Sequence, residues 1–237
     1  MALSAKPGRV FFDLHCHTSY SFDSLAQPRD QVRAAAQRGL THLAITDHDR
    51  IDGALEARAA APTGLTVLIG EEVKTADGDL IVVFLEEALP PGRSAVDTIA
   101  AAREQGALVG IPHPFDRYRN SLLREASLDS LAGLVDWVET WNARIVGRAG
   151  NEQAAAFALE HGLPGTAASD AHSTLEVGVA YNIAPEADPA TPAGLLEALG
   201  TIELRPGRAS YYVRILTPFA KGVNRAQGKT RIKPVES

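Results

Sequence analysis

Apolar runs and alanine-rich stretches alternate along most of the chain. The apolar runs are short, namely "RVFFDLH", "THLAIT", "TVLIG", "DLIVVFL", "ALVGI", "GLVDWVET" and "LPGTAAS". Stretches typical of helices lie between several of them, namely "PRDQVRAAAQRG", "GALEARAAA", "SAVDTIAAAREQG" and "NEQAAAFALEHG". Since strands that alternate with helices form βαβ units, the pattern predicts an α/β fold built on a parallel sheet.

Residues at the ends of these stretches support the assignment. Pro28 stands at a first helical position, and Gly39 follows the end of the same stretch. Ser94 and Asp97 have the spacing of a capping box, and Gly106 closes that helix. We therefore expect helices to begin and end near these residues.

The C-terminal part of the chain is less regular. From about Pro185 a proline-rich loop, "APEADPATP", precedes a short helix and the run "ASYYVRIL". The final stretch, "AKGVNRAQGKTRIKPVES", carries five basic residues against one acidic residue and has little to bury. We therefore expect one domain over residues 1–217 and an extended basic tail over residues 218–237.

Composition narrows the class of protein. The 237 residues are 45% hydrophobic and 22% charged, which suits one large α/β domain. The single cysteine, Cys16, excludes an internal disulfide and fits a reducing compartment. A formal net charge of -6 argues against stable nucleic-acid binding. No apolar run approaches the ~20 residues of a membrane span, and the start lacks a signal-peptide region, so we expect a cytoplasmic protein.

Histidines are concentrated where the predicted strands end. Five of the seven follow strands, namely His15, His17, His48, His113 and His172. The loops after parallel strands converge at one rim, where binding sites assemble. Five histidines on this rim indicate a metal site. His42 lies at the other end of its strand and His161 ends a helix, so we expect both to be structural.

Strand geometry pairs some of these ligands. Side chains at i and i+2 point to the same face, so His15 and His17 project together, as do Asp170 and His172. Each pair can present two ligands to one ion. Cys16 lies between two histidines and points to the opposite face, so we expect a packed thiol there.

Carboxylates complete the donor set. Asp23 lies in the loop after the first strand, and Glu71 and Glu72 end the run "LTVLIG", where one glutamate can bridge two cations. Other acids near the rim can orient imidazoles or cap helices, namely Asp13, Asp47, Asp49 and Asp52. A mixed set of imidazoles and carboxylates suits Zn, Mn or Fe and excludes a purely oxygen-ligated Ca or Mg site.

The order of these motifs resembles a known family. The stretches "DLHCHTSYSFDS", "ITDHD", "GEEV", "HPF" and "SDAH" are similar to those of the PHP (polymerase and histidinol phosphatase) metal-dependent phosphoesterases. The resemblance covers residues 10–183. It implies a distorted (β/α)7 TIM-like barrel, with two or three metal ions at the C-terminal rim of the strands.

The resemblance also implies a ligand set. One metal would take His15 and His17 with Glu72 and Asp170. Glu72 would bridge to a second metal. It is preferred to Glu71 because relatives have the pattern Gly, any residue, Glu at this point of the sequence. The remaining ligands would be His113 on the second metal and Asp23, His48 and His172 on a third. Many relatives carry a histidine where this chain has Asp79, so Asp79 is expected to be a second-metal ligand of a harder type.

A phosphoesterase mechanism follows from this set. We expect a hydroxide that bridges metal ions near Glu72 to attack phosphorus. Arg117 and Arg144 are candidates for binding phosphoryl oxygens, Arg119 is a weaker one, and a solvated surface role is the alternative for each. His48 or His172 is a candidate for protonating the leaving oxygen. Glu139 and Asn142 are expected to line the rim.

Three functions compete at this stage. The first is hydrolysis of a small phosphorylated metabolite or nucleotide. The second is metal-dependent hydrolysis of a C–N or C–O bond, which is weakened because Lys74 is the only lysine seen at the rim. The third is a non-catalytic, metal-stabilised module. Substrate identity, the metal, the oligomeric state and the role of the tail stay open, including whether the tail reaches a neighbour's rim.

Overall fold

The computed structural model describes residues 8–118, 125–185 and 187–231. Its strands are β1 Arg9–Asp13, β2 His42–Ile45, β3 Thr66–Lys74, β4 Asp79–Val83, β5 Leu108–Ile111, β6 Trp137–Asn142, β7 Gly165–Ala168, β8 Tyr181–Pro185 and β9 Glu203–Arg205. Its helices are α1 Pro28–Gln37, α2 Asp52–Ala60, α3 Ala95–Glu104, α4 Glu125–Leu131, α5 Ala149–Glu160, α6 Pro192–Gly200 and α7 Val213–Ala226. The predicted helices are present, and Ser94 Oγ accepts a hydrogen bond from the Asp97 N–H as the capping spacing predicts.

The strands form one mixed sheet in the order β7-β6-β5-β4-β3-β2-β1-β8-β9. The expectation of a parallel sheet is wrong at β4, which is antiparallel to both β3 and β5, and at β8, which is antiparallel to β1. The cause at β4 is the short turn of residues 75–78, since a connection of that length joins only antiparallel neighbours.

The sheet curls into a nearly closed barrel, and a side chain completes the closure. Asn182 of β8 accepts a hydrogen bond from the Ala167 N–H of β7 at 2.8 Å and donates to the Ala167 carbonyl at 2.8 Å. Its amide also donates to the Phe12 carbonyl of β1 at 3.2 Å. Beyond the strand ends, the His17 N–H donates to the Ala171 carbonyl at 2.8 Å. The terminal strand β7 is therefore linked to β8 and β1 near the other end of the sheet order, as in a TIM-like barrel.

The two largest apolar clusters among the described residues support the sheet. The larger one joins strand residues to the helices α1, α2, α3 and α5, and it contains Cys16 as a buried thiol. The second joins Phe12 and Trp137 to Leu195 of α6. Gly110 is required there, because a Cβ at this residue would lie 2.1 Å from the Trp137 ring. The strands are thus held rigidly below their C-terminal rim.

The C-terminal stretch differs from the sequence prediction. The basic tail predicted to be extended over 218–237 is helical as far as Ala226, because α7 runs through it. Val213, Ala220 and Asn224 are buried, and their spacing of seven and four residues places them on one helix face. Residues 232–237 of the predicted tail lie outside the described residues. Among the described residues, no helix is both long and apolar enough to span a membrane.

Candidate metal centre

Ligand-type residues gather at the ends of five strands. The segment after β1 supplies His15 and His17, β3 supplies Glu72, and the segment after β7 supplies Asp170. All four side chains have no solvent exposure. The remaining donors follow β1, β2, β5 and β7 and are also buried, namely Asp23, His48, His113 and His172. Burial of this many ionisable groups is costly unless cations or hydrogen bonds compensate for it.

The first group of donors surrounds His15 and His17. Their Nε2 atoms lie 2.9 Å apart. Each of these nitrogens is 3.3 Å from Glu72 Oε2. Asp170 Oδ1 lies 3.5 Å from His15 Nε2 and 3.4 Å from His17 Nε2. Four donors from three separate parts of the chain therefore converge on one point.

Two further groups share residues with the first. The second oxygen of Glu72, Oε1, lies 3.2 Å from His113 Nε2, so this carboxylate faces two groups at once. Asp23 Oδ2 lies 3.4 Å from His48 Nε2 and 3.3 Å from His172 Nε2. His17 offers a ligand atom within 4.8 Å of those three residues. The groups thus form one continuous cluster.

Hydrogen bonds around the cluster show that its atoms suit a metal ion. The His172 Nδ1–H donates to the Asp170 carbonyl at 2.8 Å, so in the neutral ring Nε2 carries a lone pair that faces Asp23. His15 Nδ1 lies 2.6 Å from the Glu139 carboxylate, so in the neutral ring its Nε2 carries the lone pair and faces the other acceptors. The second oxygen of Asp23, Oδ1, has no hydrogen-bond partner among the described residues. Acceptors that face one another in this way need a cation between them.

The spacing of the donors fits the same conclusion. Tetrahedral coordination at 2.0–2.1 Å places neighbouring ligand atoms ~3.3 Å apart. The donor contacts in the first group range from 2.9 to 3.5 Å. The mixture of imidazole nitrogen and carboxylate oxygen suits Zn, Mn or Fe. The residues present therefore fit divalent metal ions.

A layer of hydrogen bonds orients these donors. Glu139 Oε2 accepts from the His113 N–H at 3.0 Å and from the Asn142 amide at 3.0 Å. The Asn142 amide also donates to Asp170 Oδ2 at 3.1 Å. Glu139 and Asn142, predicted as rim residues, thus lie behind the donors and fix their directions.

Asp47 has a different role from the one predicted for it. Its carboxylate accepts from the Thr18 N–H and from the Thr18 hydroxyl, both at 2.6 Å, so it ties the loop after β1 to the end of β2. Gly53 of α2 makes room for this contact, since a Cβ there would lie 2.0 Å from Asp47 Oδ2. Asp47 therefore positions the segment that follows His17.

The backbone is strained beside several donors. His113 and Asp170 have φ values of 30° and 51°, and Asp49, next to His48, has 57°. A non-glycine residue in this region costs of order 1–3 kcal/mol and persists only when the surroundings enforce it. Such strain is concentrated at functional sites, which agrees with the position of the donor cluster.

Comparison of the sequence with protein families identifies the chain. The family model described as PHP domain matches residues 13–140, which is more than half of the 237 residues. The model described as PHP-associated matches residues 148–201. The chain belongs to the PHP domain family. This confirms the resemblance carried by the sequence motifs.

Individual relatives and solved structures are similar to this chain. Uncharacterized protein MJ1587 of Methanocaldococcus jannaschii is 37% identical over 143 residues, covering 55% of this chain and 81% of that protein. A two-domain protein of Bacteroides vulgatus containing a predicted PHP-like metal-dependent phosphoesterase has a TM-score of 0.70 at 20% identity, covering 84% of this chain and 65% of that one. An amidohydrolase of Chromobacterium violaceum, solved with bound sulfate and no metal, has a TM-score of 0.61 at 20% identity, covering 81% and 97%. At these identities the two structures support the fold.

The protonation states of the donor cluster of this PHP chain follow from burial and from neighbouring charges. Burial and the Arg144 guanidinium lower the pKa of His172 to about 3, so this imidazole is neutral. The pKa of Glu72 lies well below its ordinary value because His48 and His15 outweigh the opposing effect of burial. Although burial opposes it, the surrounding carboxylates raise the pKa of His15 well above its ordinary value. A proton on His15 therefore supplies the positive charge that a bound metal ion would supply instead.

The two adjacent glutamates of β3 face different surroundings. Glu72 lies among the imidazoles of the donor cluster. Glu71 Oε2 accepts from the Leu89 N–H at 2.9 Å instead, and burial raises the pKa of Glu71 to about 8. The alternation of side chains along a strand explains the difference. Glu72 is therefore the glutamate placed to bridge two donor groups.

A cavity of about 720 Å³ opens above the cluster. Its wall includes the donors Asp23, His48 and His172, and four basic residues, namely Lys74, Arg144, Lys221 and Arg231. Arg144, predicted to bind phosphate, reaches the cavity and also pairs with Glu176 at 2.5 Å. Arg117, the other predicted arginine, is exposed and does not belong to the described cavity wall. Arg119 lies outside the described residues.

The predicted ligand Asp79 stands apart from the rest of the set. The structure gathers eight of the nine predicted metal ligands into the three donor groups, and Asp79 is the ninth. Its Oδ1 accepts from Arg231 Nη2 at 2.9 Å and lies 3.7 Å from Lys74 Nζ. Metal ligation by Asp79 stays a prediction, and in this structure two cations already neutralise that carboxylate.

Sequence reasoning missed the residues that reach the rim from α7 and beyond. Lys221, Asn224 and Arg231 lie at or near the cavity, although their stretch was predicted to be an extended tail. The predicted structural histidines lie elsewhere: His42 pairs with Asp188 and His161 with Asp129. The basic charge of the tail was the one signal pointing to an anionic ligand.

Proposed function

We propose that this PHP chain is a metal-dependent phosphoesterase that hydrolyses a small phosphorylated metabolite or nucleotide. The proposal rests chiefly on one observation: a buried cluster of five histidines and three carboxylates lies at the floor of a cavity whose wall carries four basic residues. Such a cluster suits cations, and the basic wall suits an anionic ester.

The side chains divide the work between them. The eight clustered donors would hold two or three divalent ions, which when bound activate water and neutralise phosphoryl oxygens. Glu72 joins two donor groups and so fixes their relative positions. Arg144 is held by Glu176 and by the Thr217 hydroxyl at 2.6 Å, and it presents a fixed positive charge to the substrate.

Two predicted roles belong to this proposal rather than to the geometry. His48 would donate a proton to the leaving oxygen if it is not bound to a metal. His172 is the weaker candidate for this role, because its imidazole is neutral and its Nδ1–H donates to the Asp170 carbonyl. Arg117 would contact the substrate only if its exposed side chain turns toward the cavity, whose wall already includes its neighbours Asp116 and Tyr118. Arg144 is the stronger candidate of the two, because it lines the cavity whereas Arg117 is exposed outside the cavity wall.

The decisive experiment combines metal analysis with a substrate panel. Purified protein is examined for bound Zn, Mn and Fe, then supplied with Mn and tested on phosphomonoesters, cyclic phosphates and bisphosphates. We expect the wild-type protein to hydrolyse at least one of these esters, measured as phosphate release or, for a cyclic phosphate, as ring opening to the monoester. We expect this activity to be lost in His17→Ala. His161→Ala is the matched control, because His161 pairs with Asp129 at the end of α5 and lies outside the donor cluster.

The alternative is hydrolysis of an amide, favoured by the fold of the C. violaceum amidohydrolase. The same preparation is therefore tested on N-acyl amino acids. Cleavage of these compounds without hydrolysis of any phosphate ester would overturn the phosphoesterase proposal. Full metal occupancy without turnover of either class would instead support a non-catalytic module.

A further inference from the structure

The last part of the chain is attached to the loops that carry metal ligands. We infer that Asn224 and Arg231 are positioning residues of the metal centre. They hold the loops of Asp23 and His48, and they thereby set the occupancy of the ion position formed by His17, Asp23, His48 and His172. This inference rests on the metal centre of the proposed function and does not depend on which ester is cleaved.

Asn224 is hydrogen-bonded to the loop after β1. It is 1% exposed, and its amide nitrogen lies 3.1 Å from the Phe22 carbonyl and 3.0 Å from the Ser24 carbonyl. A longer contact of 3.4 Å reaches the Ser21 carbonyl. These carbonyls belong to residues on both sides of Asp23. One amide therefore fixes the backbone that aims the Asp23 carboxylate at His48 and His172.

Arg231 forms an ion pair with the loop after β2. Its Nε donates to Asp49 Oδ2 at 2.9 Å, while its Nη2 donates to Asp79 Oδ1 at 2.9 Å. Asp49 has a left-handed φ of 57°, and its Oδ1 accepts from the Lys74 N–H at 2.7 Å. The guanidinium thus joins the strained residue next to His48 to the β3–β4 hairpin.

Polar contacts attach the segment together with a small apolar face, on which Val213 and Ala220 are buried. Ile215 and Phe219 of α7 are 69% and 63% exposed, whereas Asn224 is buried and Arg231 is mostly shielded. A helix that served only to cover the core would bury its large apolar residues. The buried polar contacts of this segment point at ligand loops, which is the arrangement expected of residues that orient metal donors.

Lys221 gives the same segment an electrostatic link to the site. Its ammonium group lies 3.9 Å from Asp23 Oδ2 and 5.2 Å from the centre of the Phe22 ring. The side chain is half exposed, so solvent screens this ion pair. Its position shows that the segment reaches the ligand itself as well as the loop behind it.

The test measures metal binding in full-length point variants. Asn224→Leu removes the three donor contacts at similar size, and Arg231→Met removes the guanidinium. Gln227→Leu and Arg225→Met are matched controls, since both residues are exposed at the end of α7. Metal content is measured by plasma mass spectrometry after Mn loading and dialysis, and Co²⁺ absorption spectra report ligand geometry. Circular dichroism checks that each variant is folded.

We expect both variants to bind one ion fewer than wild type after dialysis, or to bind that ion at least ~10-fold more weakly, the loss typical of orienting residues. The Co²⁺ spectrum should change, and Arg231→Lys should restore part of the occupancy. The controls should match wild type. If Asn224→Leu fails to fold, the comparison of Arg231→Met with Arg231→Lys decides the question.

Full occupancy and an unchanged Co²⁺ spectrum in both folded variants would overturn the inference. Absence of metal from the wild-type protein would overturn it together with the proposed function. Normal metal binding by wild type without turnover of any ester would end the phosphoesterase proposal alone. The positioning roles would then be judged from occupancy.

Discussion

Replacement of Glu139 by Gln tests whether the buried layer behind the ligands controls metal binding. Glu139 is 1% exposed. One of its oxygens lies 2.6 Å from His15 Nδ1, and the other accepts from the His113 N–H and the Asn142 amide. All three neighbours donate hydrogen bonds, so both carboxylate oxygens are needed.

Glutamine keeps the size of the side chain but supplies one acceptor and one donor. If the carbonyl oxygen faces His15, the new amide meets the two donors on the other side. If the amide faces His15, the imidazole must move its proton to Nε2, which blocks the nitrogen that faces the metal position. Loss of such a partner typically weakens metal affinity by about 10–100-fold. That range corresponds to ~1.4–2.8 kcal/mol of binding free energy.

The assay is competition between the protein and a chelator for Co²⁺ or Mn²⁺. Glu160→Gln is the control, since Glu160 is exposed at the end of α5 and changes the net charge equally. A folded Glu139→Gln protein with metal affinity within about twofold of wild type would refute the reasoning, because the 2.6 Å contact to His15 would then have no effect on the ligand.

Three other changes test separate parts of the structure. Gly53→Ala places a Cβ 2.0 Å from Asp47 Oδ2, so we expect a loss of about 1–3 kcal/mol in unfolding free energy by urea denaturation; unchanged stability would exclude the close contact. Asn182→Leu leaves the Ala167 N–H and carbonyl without the Asn182 amide as partner. We therefore expect the unfolding free energy to fall by at least ~2 kcal/mol in the same assay. A smaller loss would contradict barrel closure through this amide. Lys221→Met should raise KM for a phosphomonoester and leave kcat and metal content unchanged, and an unchanged KM would remove this lysine from substrate binding.

Local sequence pattern predicted much of the fold and the candidate site. The helix over Ala95–Glu104 follows from its capping residues, which need information from only four adjacent positions. The convergence of His15 with His113 follows from a general property of α/β folds, that loops after strands meet at one rim. Chemistry of residue types at strand ends was therefore sufficient to find seven of the eight clustered donors, whereas the choice of Glu72 over Glu71 came from the family resemblance.

Contacts between distant segments could not be predicted in this way. Asn224 bonds to the carbonyl of Ser24, 200 residues away, and Arg231 bonds to Asp49, 182 residues away. The stretch that contains both residues has few apolar positions, so its composition predicted an extended tail. The closure of the barrel by Asn182 could likewise not be predicted, since the sequence around one polar strand residue does not indicate which residue it bonds to.

The charges around the cavity connect the metal centre with the anionic substrate that we propose for it. Asp49 and Asp79 are matched by the nearby cations of Arg231 and Lys74. The ligand set itself contains three carboxylates and five histidines, and the histidines contribute no charge when neutral. Two divalent ions already exceed the charge of those three carboxylates, and a third ion increases the excess. The loaded centre would therefore be positively charged, and because Arg231 removes Asp79 from that balance, the C-terminal segment strengthens the attraction for a phosphate ester.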